Sequence, residues 1–272
     1  MIIIRNLIIS IFLSLFLINC KKEEKSQKLA SLDNEKWVSI FNGVDLNGWN
    51  MKIRGHQLGV NWKNTFRVVD GVIKVDYSAY ENFDNSFGHL FYKSPFSNYK
   101  LKLQYRFTGE QLKGGENWAL RNSGVMIHCQ DPKTMELDQN FPVCIEVQLL
   151  GGLEEGVPRS TANLCTPGSH VYMENELVTA HCIDSRSKTY YGDQWVDLEI
   201  EVRNDSLITH YINGEKVLEY NKPIIGGEYN TLTELEGNSL DQGYISLQSE
   251  SHPVEFRHIM VSKMDGIVSQ LN

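Results

Sequence analysis

No Cys-x-x-Cys pair occurs in the 272 residues, which removes the ligand spacing that most structural zinc sites use. Basic residues are in deficit, 26 Lys and Arg against 34 Asp and Glu, and none cluster beyond Lys21–Lys25. An acidic chain without a basic patch is a poor partner for nucleic acid, so that class is set aside. No internal repeat is visible, and no helical hydrophobic period follows the first twenty residues, which removes bundle and α/β folds. The longest apolar run, Leu7 to Ile18, is short for a bilayer span. No linker divides the chain after Asn34, and a 41% hydrophobic composition supports one substantial core.

What is present at the start is a processing signal. Arg5, the apolar run, and then Asn19-Cys20 followed by Lys21-Lys-Glu-Glu-Lys25 have the order of an export signal. Leu17-Ile-Asn-Cys20 resembles a bacterial lipobox, with Asn19 where a smaller residue is usual. The resemblance implies cleavage before Cys20 and lipidation of its thiol; an uncleaved anchor is the alternative. Residues 1–19 hold one basic residue and no acid, so their removal takes the net charge from −8 to −9. Residues 20–34 are polar and non-periodic and read as a tether. The domain then spans 35–265, with 266–272 as a tail. The expected location is outside the cytoplasm, periplasmic or on the outer membrane or cell surface, with membrane contact through lipid alone.

Besides Cys20, Cys129, Cys144, Cys165 and Cys182 remain. An exported chain meets an oxidising compartment, where two disulfides can form in three pairings. Cys165–Cys182 is favoured, with Cys129–Cys144 the second pair. Closing the first loop would stabilise the fold by roughly 3 kcal/mol in the chain-entropy picture.

Beyond the tether the periodicity is that of strands. Trp37 to Phe41 is a first strand, and Asn42 to Trp49 a turn ending in an aromatic. Asp70-Gly71 sits between alternating runs in Phe66–Val75, a hairpin signal. His89 to Lys93 is a short strand. Tyr99 to Phe107 places Tyr99, Leu101, Leu103, Tyr105 and Phe107 on one face and Lys100, Lys102, Gln104 and Arg106 on the other. A second hairpin turns at Asn213-Gly214, and strands at Trp195–Val202, Gly243–Gln248 and Val254–Val261 complete a count of about eleven. From Gly151 to Gly192 the pattern dissolves into a long segment that its Cys, Tyr and His content marks as ordered. Many short strands with Gly-rich turns mean antiparallel sheets, as a sandwich or a barrel.

Two strands carry polar groups where a structural strand has none. Successive side chains alternate in face, so Glu146 and Gln148 share one face, as do Asn122, Gly124, Met126 and His128. A solvated outer face remains the alternative on pattern alone.

Phe41-Asn-Gly-Val-Asp-Leu-Asn-Gly-Trp49, Asn122-Ser-Gly124, Ile145-Glu-Val-Gln148, Gly243-Tyr-Ile-Ser-Leu-Gln248 and Pro253-Val-Glu-Phe-Arg-His-Ile259 together resemble the 3-keto-disaccharide hydrolase domain family, over about residues 37–262. The resemblance implies an all-β, antiparallel jelly-roll sandwich of two sheets, concanavalin A-like, with an oxidised (3-keto) glycoside or other small carbohydrate bound on its concave sheet. A 3-keto sugar has an acidic C2–H, so cleavage by elimination needs a base, a donor to the enolate oxygen and a proton for the leaving group. Glu146 is the expected base. His128 is the expected acid or enolate donor, because imidazole titrates near neutrality; where the family often has an arginine, this chain has histidine. Gln148, Asn122 and Gln248 are expected to bind hydroxyls, with Arg106 or Arg257 pairing to the carboxylate. His170, His181, Trp118 and Trp62 are expected to line the pocket. No cofactor is implied, although Glu146, His170 and His181 form a conceivable divalent-metal set. Competing readings are a lectin-like binding protein and a conventional glycosidase. The latter ranks last because the strand pattern supplies one carboxylate where such enzymes use two.

Overall fold

The computed structural model describes residues 35–264. The export signal, Cys20, the tether and the tail lie outside the described residues. Seventeen strands are present among them. In chain order they are β1 (Trp37–Ser39), β2 (Trp49–Ile53), β3 (Phe66–Val69), β4 (Val72–Val75), β5 (Gly88–Tyr92) and β6 (Asn98–Phe107). Then come β7 (Asn122–Cys129), β8 (Ile145–Leu150), β9 (Asn163–Cys165), β10 (Ser169–Met173), β11 (Glu176–Val178) and β12 (Cys182–Ile183). The last five are β13 (Val196–Arg203), β14 (Leu207–Ile212), β15 (Glu215–Ile225), β16 (Tyr244–Ser249) and β17 (Val254–Lys263). The expected all-β, two-sheet antiparallel sandwich is what forms.

The larger sheet runs β11-β10-β15-β14-β13-β6-β17-β4-β3, and the smaller, seven-stranded sheet runs β12-β9-β8-β7-β16-β5-β2. Hydrophobic alternation decides how they stack. Along β6 every second residue is buried, and its Leu101 and Leu103 pair in register with Ile200 and Leu198 of β13. The smaller sheet answers with Ile53, Leu90, Val125, Val147, Leu164 and Leu247, each fully buried in the same core. Removing that much apolar surface from water is the main drive for the fold. Because side chains alternate, the inward aliphatic row of the smaller sheet forces its other row, which includes Lys52, His89, Gln248, Glu146 and Gln148, to the opposite face.

Several expectations change in detail. Trp49 opens a strand instead of ending a turn. The segment between Gly151 and Gly192 contains four short strands, β9 to β12, too brief to show a period. Cys165 and Cys182 are bonded, with an S–S distance of 2.04 Å, and pair in register across β9 and β12. Cys129 and Cys144 are both buried and unbonded, so the second pairing is not formed here.

Candidate active site

The outward face of the smaller sheet carries a cleft of about 450 Å³. Glu146 and Gln148 of β8 form part of its floor, with Asn122 of β7 and Glu250 just beyond β16. The register explains the grouping: Met126 and Gly124 of β7 stand opposite Glu146 and Gln148, and Ser246 and Leu247 of β16 pair with Met126 and Val125. Gly124 is the pivot. A Cβ there would lie 2.6 Å from Glu146 Oε1 and 3.0 Å from its Cγ, so the carboxyl leans across β7 into the space a side chain would fill. From the other side Gln248 Nε2 donates to Glu250 Oε1 at 3.4 Å.

Two carboxyl groups therefore share one poorly hydrated cleft. Burial pushes Glu146 up from the ordinary carboxylate value to about 8. Glu250 is pushed well up as well, first by burial and then by the charge of Glu146. Removing water disfavours the charged form, and a like charge nearby adds to this. Both carboxyls are thereby biased toward the protonated form. Among the described residues no arginine pairs with either group.

The walls are partly aromatic. Trp118, about half exposed, stacks on Phe87 at 6.4 Å; Phe87 meets Phe141 at 5.1 Å. Phe141 meets Tyr229 at 5.4 Å, and Tyr229 meets His181 at the same distance. The Cys165–Cys182 disulfide and Pro167 close the side nearest Glu146. Several buried polar atoms without a partner among the described residues lie here: Asn122 Oδ1, Asn140 Oδ1, Gln248 Oε1, Glu250 Oε2 and His181 Nδ1. Most buried polar atoms in folded proteins are paired, so this group of acceptors and donors marks a place prepared for a polar ligand.

Of the sequence-derived candidates, Glu146, Gln148, Asn122, Trp118 and His181 line the cleft. Gln248 is fully buried beside Glu250. His128 is elsewhere. Between Met126 and Cys129 the β7 strand carries one more residue than β16 does between Ser246 and Tyr244. His128 adopts φ +51° at this bulge, which turns it out of the row that alternation assigns it. Its Nε2 then meets the Asn204 carbonyl at 3.2 Å, and burial lowers it to about 4. Cys129 instead packs on the Met126 side with Phe91 and Cys144.

Arg106 lies on the outer face of the larger sheet, where its Nε meets Glu255 at 2.7 Å. Arg257 stacks on Trp195 and donates to Gln104, so it forms no ion pair with Glu146. Trp62 stacks on His56 in a separate loop. His170 packs against Gly226 and Gly227. The metal set of Glu146, His170 and His181 is thus not assembled, and no group of three or more His, Cys, Asp or Glu is placed to hold a metal ion among the described residues.

Sequence reasoning missed Glu250 and, in the aromatic wall, Phe87, Phe141 and Tyr229. Glu250 was within reach, because Gln248-Ser-Glu250 simply continues the alternation of β16. Phe87, Phe141 and Tyr229 come from loops far apart in the chain, and no local pattern joins them.

Residues 36–262 match the family of 3-keto-alpha-glucoside-1,2-lyase-like domains. No curated protein matches the chain. Two solved proteins of Parabacteroides distasonis ATCC 8503, each named as an inferred glycosyl hydrolase, share the fold. One is 17% identical, with 84% of this chain and 100% of that chain covered and a TM-score of 0.51. The other is 20% identical, covering 84% and 94%, with a TM-score of 0.52.

Proposed function

Because the chain belongs to the 3-keto-alpha-glucoside-1,2-lyase-like domain family, we propose that its cleft cleaves 3-keto glycosides by proton abstraction at C2 and elimination. The observation that supports this most is the pair of buried carboxyls in one cleft, Glu146 leaning over Gly124 and Glu250 near it, both raised by burial above the ordinary carboxylate value.

The chemistry follows from that pair. Glu146, ionised, takes the C2 proton, which the neighbouring 3-keto group makes acidic; the electron pair passes to the carbonyl oxygen as an enolate. When C3=O re-forms, a C1=C2 double bond appears and the C1–O bond breaks, with the leaving oxygen protonated by Glu250. The products are an unsaturated 3-keto sugar and a free alcohol, and hydration of the enone would complete net hydrolysis. Amide donors serve the enolate oxygen. Gln148 Oε1 accepts from Asn163 Nδ2 at 3.2 Å, which leaves the Gln148 nitrogen for substrate. A buried donor aimed at developing charge is among the strongest contributions a site makes.

A conventional glycosidase gains support from Glu250, which supplies the second carboxyl such an enzyme requires. Supplying the purified protein with a 3-keto glucoside and with its unoxidised parent separates the two readings. The proposal expects turnover of the keto form alone, and turnover of the parent alone would support the glycosidase. Export and attachment through Cys20 belong to the same proposal. Lipid labelling should then be present in the full chain and lost in Cys20→Ser, and labelling that persists would refute the anchor.

A further inference from the structure

The polar row under the cleft does not stop at Gln248. Register carries it on to β5 and β2: Gln248 stands opposite His89, and His89 opposite Lys52. All three lie on the cleft side of the sheet and are nearly or fully buried. Both ring nitrogens of His89 and the Gln248 Oε1 lack any partner in the protein. Lys52 Nζ reaches the Leu137 carbonyl at 2.9 Å and keeps further N–H capacity. What separates this end of the row from the open cleft is the loop leading to Val143. Phe141 of that loop lies edge-on to His89 with ring centroids 6.3 Å apart, and Asn140 beside it has an unpaired Oδ1.

We propose that Lys52, His89 and Gln248 form a second sugar subsite, which takes the leaving-group ring of a disaccharide once Phe141 swings off His89. The inference rests on the functional reading above and extends it to the substrate class. His89 is two strands from Gly124, a distance of about 10 Å, in keeping with one further ring beyond the reacting sugar. Burial and the charge of Lys52 hold the imidazole pKa down to about 3, so at working pH it is neutral. A neutral imidazole offers one donor and one acceptor, the complement of a sugar hydroxyl. The Lys52 ammonium and the Gln248 carbonyl add a donor and an acceptor on either side. Phe141, part of the aromatic wall, is placed to stack on the same ring when displaced.

The test compares kcat/KM for the 3-keto form of an α-linked glucose disaccharide with that for the 3-keto form of methyl α-glucoside. In His89→Ala the ratio of the two should fall at least tenfold against wild type; a ratio within twofold of wild type overturns the subsite. Phe141→Ala, which uncovers the site, should hold or raise the ratio, and a tenfold fall would contradict the covering role. Imidazole nitrogen signals of wild-type protein give a reading that needs no folded variant. Unoxidised disaccharide should shift the His89 resonances where methyl α-glucoside does not, and unshifted resonances refute the subsite. If neither keto substrate is turned over by wild type, the elimination reading fails, and the resonance shift still decides the subsite.

Discussion

Glu146 gains its chemistry from two small facts: its burial, and a glycine on the neighbouring strand, Gly124, that leaves room for its carboxyl. A base that abstracts a proton near neutral pH works best when its own pKa lies near that pH, and burial supplies the shift to about 8. The rate should therefore rise with pH around a midpoint near 8, and Glu250→Gln should lower kcat while leaving that rising limb in place. Glu146→Gln should lower kcat by roughly 10²–10⁴-fold and keep sugar binding; a variant with near wild-type kcat removes Glu146 from the mechanism. The same shift has a cost in stability. Between the ordinary value of 4.5 and about 8, the folded chain keeps a proton that the unfolded chain has released. Stability from this group is thus highest at low pH and falls as pH rises through that window. Thermal unfolding should show a Tm that drops from pH 5 to 8, with a shallower slope in Glu146→Gln. Gly124→Ala tests the geometry separately. The atoms nearest an added Cβ belong to the flexible Glu146 and Met126 side chains, so Tm should change little while kcat falls by roughly 10²-fold. An unchanged kcat would mean that the carboxyl position is not critical.

At the scale of single elements, β7 shows where strand reading succeeds and where it fails. Alternation placed Asn122 and Gly124 on the cleft side, and the structure agrees. One extra residue near its end redirects His128, a bulge no composition signal announces, because a histidine at φ +51° looks like any other in the sequence. His128→Gly fits that backbone and, since the side chain is outside the cleft, should keep kcat/KM within a few-fold; a collapse of activity with Tm maintained would return His128 to the site. The short strands β9 to β12 were illegible for a different reason. Runs of two to five residues cannot display a period, and their order comes from distant pairing, β9 with β8 and β10 with β15, and from the Cys165–Cys182 bond. Breaking that bond in Cys165→Ser should cost roughly 3 kcal/mol and raise KM, because both cysteines wall the cleft. Equal Tm in oxidised and reduced protein would contradict this.

For the molecule as a whole, the two-sheet sandwich was readable from long alternating runs such as Tyr99–Phe107, whose aliphatic row makes the core and thereby assigns the polar row to the other side. The floor of the cleft was readable by the same rule, since Glu146, Gln148 and Asn122 lie on strands. Its walls were readable only in Trp118 and His181, because Phe87, Phe141 and Tyr229 join them only through tertiary folding. The arginines expected near the carboxylate belong to the far side of the larger sheet, where Glu255, Gln104 and Trp195 engage them. The central claim is that this cleft removes the C2 proton of a 3-keto glycoside. The most direct measurement is the isotope effect on kcat/KM with deuterium at C2 of a 3-keto α-glucoside, followed alongside appearance of the enone. A primary isotope effect, with no turnover of the unoxidised glucoside, is the predicted result. Cleavage of both sugars at similar rates with no isotope effect would contradict it.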